Sequence, residues 1–179
     1  MAARSLAAAA RTAALAALLL AAAVTAAPNK LARTPPAGFM SWQQFRCGTN
    51  CTAFPADCIS ERLYKETADA LVASGLRDAG YDTVHLDDCI VAKARDSVTN
   101  ELVADPERFP SGFKALGDYL HGLRLKFGFY TAMSSTTCGG YPGSATFETL
   151  DANTFAGCEC PRPNKPDPNA APVYASNAP

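Results

Sequence analysis

The segment Thr83-Val84-His85-Leu86-Asp87-Asp88-Cys89 decides the fold prediction, because a short apolar run ends there in two adjacent carboxylates. The β-branched and apolar residues of Thr83–Leu86 predict a strand. Side chains alternate in direction along a strand, so one of Asp87 and Asp88 can point into a site at the strand end while the other faces its rim. Paired aspartates after a strand are also typical of a plain turn or a helix cap. Both interpretations stay open on these residues alone.

Helical and strand patterns alternate on either side of this segment. Helices are predicted where apolar residues recur at helical spacing, after a Ser60 cap and again before the third strand. Their marker residues are Leu63, Thr67, Ala68, Leu71 and Val72 in the first, Phe113, Leu116, Leu120 and Leu123 in the second, and the range 147–155 in the third. A turn over 35–38 leads into a short buried strand near Trp42, and 126–130 forms the third strand.

This alternation predicts a parallel sheet, which is either an open doubly wound sheet or about three βα units of a (β/α)₈ barrel. The first βα turn contains no Gly-x-Gly-x-x-Gly, so a dinucleotide cofactor has no support. In a barrel, chemistry collects where strands end.

Four residues lie at predicted strand ends, namely Trp42, Asp87, Asp88 and Tyr130. A carboxylate pair can accept hydrogen bonds from neighbouring sugar hydroxyls, an indole can stack on a pyranose face, and a phenol can hydrogen-bond at the same mouth. The plainer interpretation is that the tryptophan belongs to the core. The tyrosine alone decides nothing.

Residues 1–26 are predicted to be a secretory signal peptide. Arg4 and Arg11 flank an apolar run over 13–27, and small residues allow cleavage after Ala26. The alternative is a membrane anchor, which takes about 20 apolar residues. The net charge of −1 gives no reason to expect nucleic acid or an anionic membrane as partner.

The seven cysteines indicate disulfides in an oxidising compartment rather than metal ligands. His85 and His121 are the two histidines, and neither has zinc-ligand spacing from a cysteine pair. No metal site is therefore predicted. Because seven is an odd number, at least one cysteine has no intramolecular disulfide partner.

The range 161–179 is rich in Pro, Asn, Asp and Ala and lacks periodicity, which predicts a disordered tail. Asn50-Cys51-Thr52 fits the N-glycosylation pattern. A disulfide at Cys51 would oppose its use.

Several motifs resemble glycoside hydrolase family 27, the α-galactosidases and α-N-acetylgalactosaminidases. The resemblance runs from about Leu31 to Ala156. Its motifs lie at 31–36 with Gly38, Trp42 and Cys47, at 75–81, at 86–89, at 104–112 and at 137–144. It implies a (β/α)₈ barrel, here partial over 27–160, and retaining hydrolysis of terminal α-galactosides without a metal or cofactor. It also implies a following β-sandwich, a homodimer that is doubtful for this short chain, and a secreted, lysosomal or vacuolar location.

The same resemblance assigns roles to individual residues. Trp42, Asp87, Asp88 and Tyr130 correspond to residues that bind an α-galactoside or α-N-acetylgalactosaminide. The implied disulfides are Cys47–Cys89, Cys51–Cys58 and Cys138–Cys158.

The family's catalytic residues are expected to be absent. Its nucleophile is the Asp of a Lys-x-Asp-Gly-Cys motif that ends the fourth strand. Here Ala156 directly precedes Gly157-Cys158, and about ten intervening residues are missing. The acid/base Asp is expected beyond the end of this chain. Retention requires two carboxyl groups about 5–5.5 Å apart, and neither Asp151 nor Glu159 is expected to replace one. The chain is therefore predicted to be inactive, the alternative being a non-catalytic secreted sugar-binding or misfolded splice fragment.

Overall fold

A computed structural model describes residues 35–158, together with the backbone of 174–176. The described elements are short strands that alternate with helices. They are β1 (Gly38–Met40), α1 (Trp42–Phe45), α2 (Glu61–Ala73), β2 (Thr83–Leu86), α3 (Gly112–Gly122), β3 (Lys126–Ala132), α4 (Glu148–Cys158) and β4 (Tyr174–Ser176). The predicted alternation is confirmed. The predicted signal peptide and Glu159 lie outside the described residues, and no described helix is long and apolar enough to cross a membrane.

All four described strands form one parallel sheet in the order β1-β2-β3-β4. Phe39 is level with Val84, and Val84 with Phe127. A doubly wound sheet reverses its strand order at a switch point, whereas these strands keep the order of the chain. The observed sheet therefore corresponds to one portion of a (β/α)₈ barrel, and the doubly wound alternative is wrong.

The helices cover one side of the sheet. Val84 and Leu86 of β2, and Phe127 and Phe129 of β3, belong to the buried core on that side. Edge-to-face and stacked ring contacts continue this core from α2 into α4. Successive ring centroids are 6.0 Å apart for Tyr64–Phe109, 5.4 Å for Phe109–Phe113, 5.2 Å for Phe113–Phe129 and 4.5 Å for Phe129–Phe155. Aromatic pairs at such distances add about 0.5–1.5 kcal/mol each beyond burial.

Helix α2 begins as predicted. Ser60 has extended backbone angles, and its Oγ accepts a hydrogen bond from the backbone N–H of Leu63 at 3.3 Å. Leu63, Ala68 and Leu71 are buried against the core. Replacing such an N-cap by alanine typically costs about 1 kcal/mol.

One local prediction is wrong. β1 is not a buried strand, because Met40 is 42% exposed and this edge strand pairs on one side only within the described sheet. Within the range predicted as a disordered tail, 161–179, Tyr174–Ser176 pair in parallel with Tyr130–Ala132, and the other residues lie outside the described ones. The edge of β3 offers backbone hydrogen-bond partners, which the composition of the tail does not reveal.

Candidate functional site

The predicted site residues lie at the carboxyl edge of the sheet. Asp87 and Asp88 directly follow β2, and Trp42 begins α1 two residues after β1. Tyr130 lies within β3, because that strand continues to Ala132 rather than ending at the tyrosine. Carboxyl ends of parallel strands share one edge, so the fold brings the loops of all three strands together.

Both carboxylate oxygens of Asp88 accept hydrogen bonds from the protein. Its Oδ1 accepts hydrogen bonds from Thr137 Oγ1 and from the backbone N–H of Cys89, each at 2.7 Å. Its Oδ2 accepts one from the backbone N–H of Gly139 at 2.6 Å. The residue is 3% exposed. These partners satisfy a buried charge that would otherwise be costly. In this arrangement Asp88 fixes the loop after β3.

The Cys47–Cys89 disulfide packs against the same loop. It joins the segments that follow β1 and β2, as the resemblance implies. A Cβ atom built on Gly139 would overlap with Cys89 Sγ and lie 2.7 Å from Cys47 Sγ. Cys89 itself has a φ of +69°, a left-handed conformation that its N–H bond to Asp88 helps to hold. Cys47, Asp88 and Cys89 bring three potential donor atoms within 4.8 Å of one another, but the disulfide removes both thiolates as metal ligands.

Asp87 is the more accessible carboxylate of the pair. It is half-buried, and its Oδ1 accepts a 2.8 Å hydrogen bond from the backbone N–H of Asp88. Burial raises the pKa of Asp87 above its ordinary value, while the N–H of Asp88 and the His85 side chain oppose that rise. His85 is two residues earlier on the same strand face, and burial lowers its pKa. Asp87 therefore has acceptor capacity left for a ligand.

The His85 side chain packs against Gly128 of β3, where no Cβ atom is present. It is level with Gly128 of β3, where an added Cβ would lie 2.5 Å from His85 Nδ1. This face of β2 and β3 is opposite to the helices and carries polar or small residues. A cavity of about 250 Å³ adjoins it beside β1, lined by Pro36, Gly38, Phe39, Met40, Thr83 and His85.

Trp42 and Tyr130 are both half-buried. The guanidinium of Arg46 lies 5.5 Å from the centre of the Trp42 ring, a cation–π contact across one turn of α1. The Tyr130 hydroxyl lies 3.9 Å from Cys138 Sγ. Each side chain retains exposed surface at the carboxyl edge, which is what a sugar platform and a hydroxyl donor require.

Two of the three implied disulfides are present, Cys47–Cys89 and Cys51–Cys58. The third is wrong, because Cys138 is not joined to Cys158. α4 runs back from the carboxyl edge, and the carbonyl oxygen of Cys158 packs so tightly on Gly117 of α3 that a Cβ there would overlap with it. Cys158 Sγ instead donates to the Thr154 carbonyl at 3.3 Å.

The junction at Ala156-Gly157 lies inside a helix. α4 continues without interruption through Cys158. Gly157 and Cys158 are therefore helical and do not directly follow a strand.

Asp151, the possible substitute, is held elsewhere. It is 1% exposed and forms a bidentate pair with Arg95, with both Nη–Oδ distances at 2.7 Å. Ser144 Oγ donates to Asp151 Oδ2 at 2.6 Å. Asp151 thus joins α4 to the loop after β2 through Arg95.

Sequence reasoning missed the partners that position the site. Thr137 and Gly139 were recognised only as part of a matching motif, and Arg95 was not singled out. A polar residue and a glycine shortly after a strand are too common to predict that both bind Asp88, an arrangement that we call the Asp88 clamp. The match of the whole motif at 137–144 was the one sequence signal for it.

Comparison with known proteins shows the family to which the chain belongs. A family model described as Alpha galactosidase A, of the melibiase type, matches residues 34–161. The chain belongs to glycoside hydrolase family 27. This melibiase family includes α-N-acetylgalactosaminidase from Gallus gallus, which is 50% identical over 130 residues, covering 72% of this chain and 32% of that protein. Human α-galactosidase A is 45% identical over 128 residues, with 72% and 30% covered.

Solved structures of the family show the same arrangement. α-Galactosidase I from Mortierella vinacea superimposes with a TM-score of 0.65 and 39% identity, over 74% of this chain and 30% of that one. An α-galactosidase from Saccharomyces cerevisiae solved with raffinose gives a TM-score of 0.64 and 40% identity, over 73% and 26%. The chain spans about a third of the length of the relatives that it matches. Its relatives are glycoside hydrolases, and the described sheet corresponds to the first part of their barrel.

Proposed function

We propose that this chain binds a terminal α-galactosyl or α-N-acetylgalactosaminyl residue at the carboxyl edge of β1–β3. Asp87 accepts hydrogen bonds from sugar hydroxyls, Trp42 packs against the apolar face of the pyranose, and the Tyr130 hydroxyl contributes a further hydrogen bond. The observation that carries this proposal is the pairing of an accessible Asp87 with a protein-bound Asp88. Asp88 joins the loops after β2 and β3, the Cys47–Cys89 disulfide joins the loop after β1 to them, and Asp87 faces the ligand.

We further propose that the chain by itself does not hydrolyse the sugar it binds. Retaining hydrolysis requires two carboxyl groups on opposite sides of the anomeric carbon, one as nucleophile and one as acid and base. Among the described residues at this edge, Asp87 is the accessible carboxylate, and Asp88 already accepts three hydrogen bonds. The helical course of α4 through Cys158 supports this proposal, because within residues 35–158 no strand end beyond that of β3 presents a carboxylate.

The disulfides Cys47–Cys89 and Cys51–Cys58 favour an oxidising compartment. We therefore propose that the chain enters the secretory pathway, in keeping with the predicted signal peptide.

The experiment separates binding from hydrolysis. The secreted chain is titrated calorimetrically with galactose, N-acetylgalactosamine and glucose, and is assayed with a chromogenic α-galactoside. Saturable heat with galactose or N-acetylgalactosamine but not glucose, without turnover, supports both proposals. A folded chain that gives no heat contradicts binding. Turnover above a no-enzyme control, or covalent labelling by a mechanism-based galactosyl inactivator, contradicts inactivity.

A further inference from the structure

The loop between α1 and α2 carries a motif that the sugar site does not use. Asn50-Cys51-Thr52 is the only Asn-x-Ser/Thr sequence in the chain. Asn50 and Thr52 are exposed, while Cys51 is half-buried and bonded to Cys58. A glycan attached to Asn50 therefore stays on the surface once the chain has folded.

The closed turn can carry a glycan on Asn50 without losing the hydrogen bonds of that residue. The side-chain Oδ1 accepts a 2.9 Å hydrogen bond from the backbone N–H of Ala53, and the backbone carbonyl accepts one from the backbone N–H of Phe54 at 3.0 Å. Both contacts use oxygen atoms of Asn50, and a glycan would be attached to its nitrogen, Nδ2.

A second feature of the same turn is an exposed aromatic ring. Phe54 is 64% exposed, four residues after Asn50. A glycan on Asn50 can cover such a ring, which otherwise leaves apolar surface in water.

We propose that Asn50 is an N-glycosylation site whose occupancy is set by competition with closure of the Cys51–Cys58 disulfide. In the transfer, Asn50 Nδ2 forms a bond to the anomeric carbon of an oligosaccharide carried on a polyprenyl diphosphate. The bond from that carbon to the diphosphate oxygen breaks, the lipid diphosphate leaves, and the amide proton passes to a base of the transferase. The proposal rests on entry into the secretory pathway.

The disulfide opposes transfer for a geometric reason. Cys51 lies between the two recognised residues, and the Cys51–Cys58 bond brings Cα atoms seven positions apart in sequence to 5.0 Å. The transferase has to bind the three residues as an open segment. Once the small ring closes, Asn50 and Thr52 are held in the turn, so glycosylation has to precede closure.

The test compares five forms of the full chain expressed in a eukaryotic secretory host. They are the wild type, N50Q, T52A, T52S and C58S. Total chain, secreted and retained, is treated with peptide-N-glycosidase, and peptide mass spectrometry reads whether residue 50 has become Asp. Because transfer precedes folding, a variant that misfolds still reports occupancy.

The expected result is partial occupancy in the wild type, seen as a gel shift of one glycan that enzyme treatment removes. N50Q and T52A should lose the shift, T52S should keep it because it retains the hydroxyl, and C58S should show a larger occupied fraction. Wild-type chain that is cleaved after Ala26 but unmodified at Asn50 overturns the site and leaves the proposed compartment intact. Chain that keeps its leader in the cytosol overturns both, and C58S occupancy no higher than wild type overturns the competition.

Discussion

Asp88 and Gly139 are joined by a 2.6 Å hydrogen bond between a buried carboxylate oxygen and a backbone N–H. This bond connects the end of β2 to the loop after β3, where Thr137 and Tyr141 close a turn through a 2.8 Å backbone bond. The carboxylate of Asp88 therefore links that loop directly to the end of β2.

Asp88→Asn should destabilise the fold. An amide can still accept from Thr137 and Cys89, but its NH₂ group would then face the N–H of Gly139. Leaving a buried donor without an acceptor costs about 1–3 kcal/mol. The free energy of unfolding from urea denaturation should fall by that amount. Alkylation of exposed Cys138, between the two clamped residues, should accelerate in native buffer, and an unchanged alkylation rate would argue against the clamp.

Gly139→Ala tests the packing of the loop on the disulfide. Its Cβ would overlap with Cys89 Sγ, so either the loop or the disulfide must move. Overpacking of this kind typically costs about 1–3 kcal/mol. Gly122→Ala is the matched control, because nothing lies within 4 Å of its added Cβ. Thermal unfolding should show a lower midpoint for the first variant and no drop for the second. Equal midpoints would contradict the packing argument.

Asp151→Asn should be strongly destabilising because it leaves the largely buried guanidinium of Arg95, whose side chain is 11% exposed, without its counter-charge. Breaking a buried pair costs about 3–5 kcal/mol. The control is Asp118→Asn, which removes an exposed pair with Lys114 at 2.8 Å and should cost at most about 0.5 kcal/mol. Chemical denaturation of both variants measures the difference. A similar loss of unfolding free energy in both variants would show that the Arg95–Asp151 pair does not stabilise the fold more than the exposed pair does.

Sugar affinity should depend on pH through Asp87. Burial raises the pKa of this carboxyl above its ordinary value of 3.8. The ionised form is the better acceptor for sugar hydroxyls, so affinity should be full above the raised pKa and fall as pH drops through it. The decline should begin at a higher pH than an ordinary aspartate would give. Calorimetry across pH 4–7 checks this, with a flat profile as the contrary outcome.

The sequence predicted the elements with strong local signals. β2 has the predicted bounds, Thr83–Leu86, because a β-branched apolar run between polar loops has few alternatives. α2 begins after Ser60 because its side chain satisfies a backbone donor. Parallel topology alone predicts that Trp42, Asp87 and Asp88 follow neighbouring strands at one edge of the sheet.

Three features depended on tertiary structure. The loop after β3 determines which of the two aspartates is buried, because Thr137, 49 residues after Asp88 in the sequence, hydrogen-bonds to it. The position of Cys158 was set by the direction of α4, which carries it away from Cys138. The pairing of β4 was set by the edge of β3. None of these leaves a periodic pattern in the sequence.

The decisive measurement is calorimetric titration of galactose into the wild type, Asp87→Asn and Asp118→Asn, each first shown to share one unfolding midpoint. The account predicts saturable heat from the wild type and from Asp118→Asn, and at least about a tenfold weaker affinity for Asp87→Asn, since hydrogen bonds to a charged group contribute about 1.5–3 kcal/mol. Equal affinity in all three proteins would show that the ligand does not bind at Asp87.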